Sequence, residues 1–458
     1  MQTIFDISTL ARSTGQAVGI VRVVRELARS ARADRPDTVF VIFDPSAGLF
    51  RHVAPKHRDA IIDDRALIDA STQADPVTGK SFGGLALWLR NPRRRAFMAL
   101  ENLRVKGRWN ARFLELLQSK LLKPKHREAL AGSGGERRVV LSFDAIAGEP
   151  IDATPGQVLL CPGSDWGESA ISAAARIKAT AGTRIAQICY DTVPLFYPDF
   201  YPPGIGEQFR LGFHRMVALA DIMLVTAHQV AEDVRSYCAA NGLAAPAMAV
   251  FPLGADPVSE PSAEGAILPA GLENGRYAML VGTIEPRKGH RLLFNAWKQL
   301  LAEGVPQKSG FKLVFLGRKG WLVDDLVAEI SAHPSLGDSL LILSGVADRD
   351  LARLYRNAAF TVLPSLYEGY GLPVVESFRH GKPVLASTGG ALKEVVGEFS
   401  PCLDPRDETA WLEAMRRWIS DPEARAPYEA AIRERFRHPT WPDAARAFFV
   451  ALDKALGG

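Results

Sequence analysis

Two glutamates flank a glycine turn in the run PSLYEGYGLPVVESF: Glu368 and, eight positions on, Glu376. One carboxylate on a loop and a second about one turn inside the following helix can both accept hydrogen bonds from vicinal hydroxyls of a single ligand. Pro373 suits the first turn of that helix, where its missing N–H costs nothing, and Gly369 and Gly371 let backbone come close to a ligand. The same acids also read as solvated residues favoured by a helix N-terminus, so residue types alone leave both readings open. Upstream, LVGTIEPRKGH sets Arg287 and Lys288 in a turn between a strand and a helix. Arginine grips a diphosphate bidentately and lysine neutralises it as a point charge; an exposed turn is the plain alternative. In TGQAVGIVR, Gly15 and Gly19 precede a helix and could bring backbone to a phosphate, although neither G-x-G-x-x-G nor G-K-[ST] is present. Asp348 and Asp350 in DRD match an acid-x-acid pattern that holds a metal–nucleotide in other transferases, but a helix opens here, which makes Asp348 an N-cap instead. The nine histidines do not cluster at ligand spacing, so no metal is expected.

Such residues need strands to carry them to one crevice. In the N-terminal half QTIFDIS, TVFVIF, VVLSFD, VLLCPG, TRIAQICYD, ADIMLV and AMAVFPLGAD are short apolar runs, most of them opening into polar or glycine loops. That is the mark of strands buried on both faces whose carboxyl ends open into functional loops. From Pro257 to Gly275 the chain is rich in proline, glycine, serine and glutamate without periodicity, the mark of a domain boundary. Beyond it YAMLVG, KLVFLG, LLILSG, FTVLPS and PVLAS alternate with helices starting near His290, after Trp321, at Asp348 and near Leu372. Strand and helix in this rhythm predict right-handed crossovers and parallel sheets. The expected fold is α/β, with two doubly wound Rossmann-like domains facing a cleft. Residues 1–256 form the first, acceptor-side domain, 275–438 the second, and 439–458 an amphipathic helix that packs back on the first.

At 458 residues with 47% hydrophobic and 23% charged, the chain has the composition of a soluble globular protein, and no apolar run is long enough to span a bilayer. The N-terminus lacks the pattern of a signal peptide, and Cys161, Cys189, Cys238 and Cys402 are scattered without ligand spacing, so thiols in a cytoplasmic protein are expected. The net charge is +4, yet twelve lysines and arginines between Arg90 and Arg127 face only Glu101 and Glu115. The positive charge is therefore one local feature, and no nucleic-acid partner is expected. Within 90–127, a basic helical insertion, Trp109, Phe113, Leu116, Leu117 and Leu121 form an apolar stripe. The segment reads as an interfacial anchor on an anionic membrane surface or as an internal helix with a solvated basic face.

Taken together these residues resemble glycosyltransferase family 4, which has the GT-B fold. The resemblance rests on GTIEPRKGH, VFLGRKGW, the long run from LSGVADRD through PSLYEGYGLPVVESFRHGKPVLASTGG to KEVVG, and LDPRD, and covers essentially the whole C-terminal half. In the N-terminal half FDIS, TGQAVGIVRVVREL, YDTVPLFYPDFY, VTAHQVAEDV and PLGAD resemble the family's bacterial polysaccharide branch. The resemblance implies retaining transfer of a sugar from a nucleotide diphosphate sugar to a glycan or lipid-linked glycan acceptor, with no cofactor and no essential metal. It implies that Glu376 holds the ribose, Glu368 the donor sugar, and Arg287 with Lys288 the diphosphate. The N–H groups of Tyr370, Gly371 and Leu372 would face the sugar or diphosphate, Val346 the base, and Gly19 the phosphates from the first domain. Where many relatives carry a histidine before the aspartate of YDTVP this chain has Tyr190; Asp191 remains. Resemblance to mannosyl- and rhamnosyl-transferring relatives favours a GDP-linked mannose or 6-deoxyhexose donor, with a UDP- or dTDP-sugar, a nucleotide-sugar epimerase and a non-catalytic glycan binder as the alternatives.

Overall fold

Runs of aliphatic and aromatic residues too short for helices build two separate sheets in this computed structural model, which describes residues 1–13, 19–68, 139–163, 167–255, 268–269, 271–333 and 336–457. The first sheet has eight strands in the spatial order Ala247–Val250, Ile222–Val225, Arg184–Cys189, Gln157–Cys161, Gln2–Asp6, Val39–Asp44, Leu49–Val53 and Ala147–Pro150. All neighbours are parallel except the last two pairings, where Leu49–Val53 turns back on Val39–Asp44 and Ala147–Pro150 closes the edge. VVLSFD supplies Val139–Leu141, which leaves the main sheet and pairs with Ala66–Ile68 in a small sheet of its own.

The second sheet has six parallel strands in the order Leu340–Leu343, Lys312–Leu316, Tyr277–Val281, Phe360–Leu363, Val384–Ser387 and Cys402–Leu403. Numbered along the chain this order is 3-2-1-4-5-6, the Rossmann arrangement, whose ligand crevice opens between strands 1 and 4. Its central strands are buried on both faces, as continuous runs such as YAMLV and FTVL require. The helix His290–Ala302 drives Leu293, Phe294, Trp297, Leu300 and Leu301 into this sheet's core, an i, i+3, i+4 stripe that meets Trp411, Met415 and Trp418 of Glu408–Ser420.

The last helix, Trp441–Ala455, belongs physically to the first unit. Thr440 and Asp443 cap its start reciprocally. Ala445, Phe448, Phe449 and Leu452 then join the core of the first sheet, with Phe448 edge-on to Phe251 at 4.8 Å. Arg35 grips Asp453 by two hydrogen bonds of 2.8 and 3.0 Å. The two places where the chain passes between the units therefore lie side by side: Ala255 N–H donates to the Pro439 carbonyl at 3.1 Å, and His438 Nε2 sits 2.7 Å from the Leu253 carbonyl. The composition-based boundary at Pro257–Gly275 and the basic segment 90–127 fall largely or wholly outside the described residues.

Candidate active site

The crevice of the second sheet collects the residues singled out by spacing. Tyr277–Val281, its first strand, leads into the short turn Pro286–Lys288; Phe360–Leu363, its fourth, leads into the loop of Glu368. These strands are neighbours, so side chains about eighty positions apart in sequence meet. Lys288 Nζ lies 2.5 Å from Glu368 Oε1, which also accepts from Ser365 Oγ at 2.6 Å. Arg287 Nη1 donates to Glu368 Oε2 and to the Tyr367 carbonyl, both at 2.9 Å, and its Nε pairs with Glu285 at 2.9 Å. Glu368 is 6% exposed and Lys288 8%. Buried charges persist when paired and hydrogen-bonded, and this cluster meets that condition.

Burial opposes ionisation of Glu368, but the adjoining Arg287 and Lys288 cations outweigh it and hold the carboxyl at about 2. Glu285 goes the other way, because burial raises it more than Arg287 lowers it. Asp191, which accepts from the Val193 N–H at 3.2 Å, is likewise raised by burial against the pull of Arg287. Two cations thus stand among three carboxylates, of which Glu368 is held most firmly ionised. The ordinary value for Glu368 is 4.5, so its depressed folded value contributes stability that is complete above about pH 4.5 and is lost as pH falls towards 2. Denaturation midpoints at pH 5 and pH 3 check this: the acid loss in the wild type should exceed that in Glu368→Gln. Equal losses would show that Glu368 is not the group responsible.

Glu376 lies in the helix Leu372–Arg379 and is held from two sides. Tyr355, fully buried, donates its hydroxyl to Oε2 at 2.8 Å, and Arg22 of the first unit stands 3.7 Å from Oε1. Val346, just past the third strand, packs against the apolar cluster that contains Tyr355. Gly371 occupies the helix's N-cap at φ 101°, a conformation that favours glycine. A helix's first N–H groups have no partner within the helix, so the turn at Gly371 and Leu372 can offer donors to an anion. The side chains of Tyr370 and Leu372 do something else: both pack against the core of the first unit. Gly19 sits at the N-cap of Ile20–Asp34 with φ 55°.

The carboxyl ends of the two sheets face each other across direct contacts. The space a Cβ would take at Gly369 is filled by the Tyr190 carbonyl, 2.0 Å away, and Asp191. Gly369 therefore admits the opposite domain's backbone here, where the sequence reading assigned it to ligand approach. Thr226 Oγ1 donates to the Gly369 carbonyl at 2.9 Å, and Trp321 Nε1 to the Phe200 carbonyl at 2.7 Å. Tyr367 donates to Asp233, and its hydroxyl lies 3.0 Å from Thr192 Oγ1. Glu394 accepts from the N–H groups of His228 and Gln229, at 3.1 Å each, and so caps the helix His228–Ala240 from across the interface. Tyr190 turns away from the crevice: its hydroxyl donates to the Pro162 carbonyl at 2.6 Å inside its own unit.

Glu285, Ser365, Tyr355 and Arg22 complete the site and were not singled out by spacing. Glu285 stands in the EPRKG run beside the two cations. Tyr355 and Arg22 carry no local signal, since only tertiary packing brings them to Glu376. Ala347 takes the cap position before the helix that opens at Asp348, in place of the aspartate. Among the described residues no group of three histidines, cysteines, aspartates or glutamates could hold a metal, and no helix is long and apolar enough to cross a membrane. Cys189 and Cys238 are buried thiols.

Residues 270–435 match the glycosyl transferases group 1 family. This part of the chain is a glycosyl transferases group 1 domain. It contains every residue of the Arg287–Lys288–Glu368 cluster and Glu376. The chain is 29% identical over 271 residues to the serotype-specific mannosyltransferase WbdA of Escherichia coli, covering 57% of this chain and 32% of that one. It is 37% identical over 134 residues to O-antigen chain mannosyltransferase B of Escherichia coli, covering 29% and 34%. It thus spans about a third of the length of each of these two relatives. Anabaena HepE, solved with UDP and glucose, has a TM-score of 0.56 at 14% identity, covering 99% of this chain and 100% of that one. That likeness is one of fold: the group 1 domain and the unit before it form a GT-B pair of Rossmann-like domains.

Proposed function

We propose that the protein is a retaining glycosyltransferase that moves a sugar from a nucleotide diphosphate donor to a glycan acceptor in bacterial surface polysaccharide synthesis. The observation that carries this reading is the buried Lys288–Glu368–Arg287 cluster at the crevice between strands 1 and 4 of a group 1 domain. A diphosphate leaving group gains negative charge as the glycosidic bond breaks, and cations already fixed by a carboxylate meet that charge without reorganising. In this reading Glu376, in the helix after the Glu368 loop, holds the ribose hydroxyls, Glu368 the donor sugar, and the N–H groups from Tyr370 to Leu372 the sugar or diphosphate. Val346 lines the base, while Gly19 and Asp191 approach from the acceptor-side domain. Tyr190 gives its one hydroxyl hydrogen to the Pro162 carbonyl, so it has none to donate to the sugar.

Relatives described as mannosyltransferases support mannose as the sugar moved; the donor in this reading is GDP-mannose first and a GDP-linked 6-deoxyhexose next. The acceptor is a glycan, lipid-linked if the basic segment 90–127 meets an anionic membrane, and the protein then sits on the inner face of the cytoplasmic membrane. A thermal-shift panel of GDP-, UDP- and dTDP-sugars tests the donor assignment: one nucleotide class should raise the melting temperature, GDP-sugars first, and a flat panel would contradict the reading. No metal enters the proposed chemistry, so a chelator should leave transfer intact. Loss of activity in chelator, restored by manganese, would return Asp348 and Asp350 to consideration as metal ligands.

A further inference from the structure

Arg22 belongs to the first domain, in the opening turn of Ile20–Asp34 and three residues after Gly19. Its guanidinium lies 5.4 Å over the ring of Trp441, the residue that opens the returning C-terminal helix. Its Nη1 is 3.7 Å from Glu376 Oε1 in the group 1 domain. Three separate pieces of chain therefore converge on one cation: the first helix of one domain, the site helix of the other, and the crossing segment that joins them. Both Arg22 and Glu376 side chains are 25% exposed, so the pair borders solvent at the crevice and is not a core strut.

The spacing is informative. At 3.7 Å the contact is an ion pair and not a hydrogen bond, so the charge acts on Oε1 without Arg22 itself occupying a lone pair there. Tyr355 already donates to Oε2 at 2.8 Å from within the group 1 domain, so that oxygen is oriented whether or not the domains meet. Arg22 reaches the Oε1 side from the other domain. The Trp441 face, itself part of the first unit's core, holds the guanidinium in place by a cation–π contact.

We propose that Arg22 is a positioning residue through which the acceptor-side domain sets donor affinity: it completes the electrostatic environment of Glu376 only when the cleft is shut. The inference rests on the reading of Glu376 as the ribose-binding carboxylate. Donor binding and cleft closure are then linked, since each favours the arrangement in which Arg22 faces Glu376. Arg22 acts on affinity and not on the chemical step, because the charge developing at the diphosphate is met by Arg287 and Lys288.

Calorimetric titration of the full chain with GDP and with UDP, together with donor KM and kcat, tests this. Arg22→Ala should weaken the preferred nucleotide diphosphate and raise donor KM by about threefold to tenfold, the size of a single coupled pair, with kcat changed far less. Arg22→Lys should recover most of the loss by restoring charge. In a Glu376→Gln background, Arg22→Ala should have almost no further effect, a coupling that general loss of structure would not produce. Unchanged binding in Arg22→Ala overturns the inference alone, as does an equal loss in both backgrounds. A wild type that binds neither nucleotide, nor dTDP in the same titration, overturns the reading of the site, and the inference with it.

Discussion

Lys288→Ala and Arg287→Ala should each slow sugar transfer by about a hundredfold or more, the loss seen when a preorganised transition-state donor is removed. The two cations do not act alike. Lys288 offers a compact charge to Glu368 Oε1, whereas Arg287 braces Glu368, the Tyr367 carbonyl and Glu285 together. Arg287→Lys should therefore rescue poorly, because one ammonium cannot span three acceptors. Single-turnover rates at saturating donor measure the effect on the chemical step. Wild-type rates in both alanine variants would remove the diphosphate assignment.

The second large effect concerns the two glutamates. Glu368→Ala takes the counter-ion from the buried Lys288 and one of two from the partly buried Arg287, and breaking a buried pair costs about 3–5 kcal/mol of stability. Turnover should fall more than donor binding, since Glu368 faces the reacting sugar in this account. Glu376→Ala should do the reverse, weakening the donor by about 1–3 kcal/mol through lost hydrogen bonds to the ribose, with a milder effect on stability. Melting curves separate the stability effects, and kcat against KM separates the roles. Full activity in both variants would contradict the pairing of these residues with the donor.

Much of this architecture is legible in the chain. YAMLVG, KLVFLG, LLILSG, FTVLPS and PVLAS read as buried parallel strands because both faces are apolar, and they are five of the six strands of the second sheet. Ala147–Pro150, at the sheet edge, and its neighbour Leu49–Val53 escaped notice because they carry polar residues such as Arg51, His52 and Glu149. Arg287, Lys288, Glu368 and Glu376 stand out because charged residues beside glycines at strand ends are a local pattern. What local pattern cannot show is which of them pair. Spacing presents Glu368 as a ligand-facing carboxylate; that it is also a counter-ion of both cations is set by strand order and not by spacing. Arg22 and Tyr355 are set in the same way, as is the use of Gly369 to admit Tyr190.

The most direct test of the central claim is acceptor-dependent release of nucleotide diphosphate. The full chain is incubated with a panel of GDP-, UDP- and dTDP-sugars, with and without a mannose-terminated oligosaccharide. The account predicts that at least one donor, GDP-mannose first, releases its nucleotide diphosphate only when acceptor is present, with a new glycoside of the donor's own anomeric configuration. Conversion of the donor without acceptor, or a glycoside of inverted configuration, would contradict it.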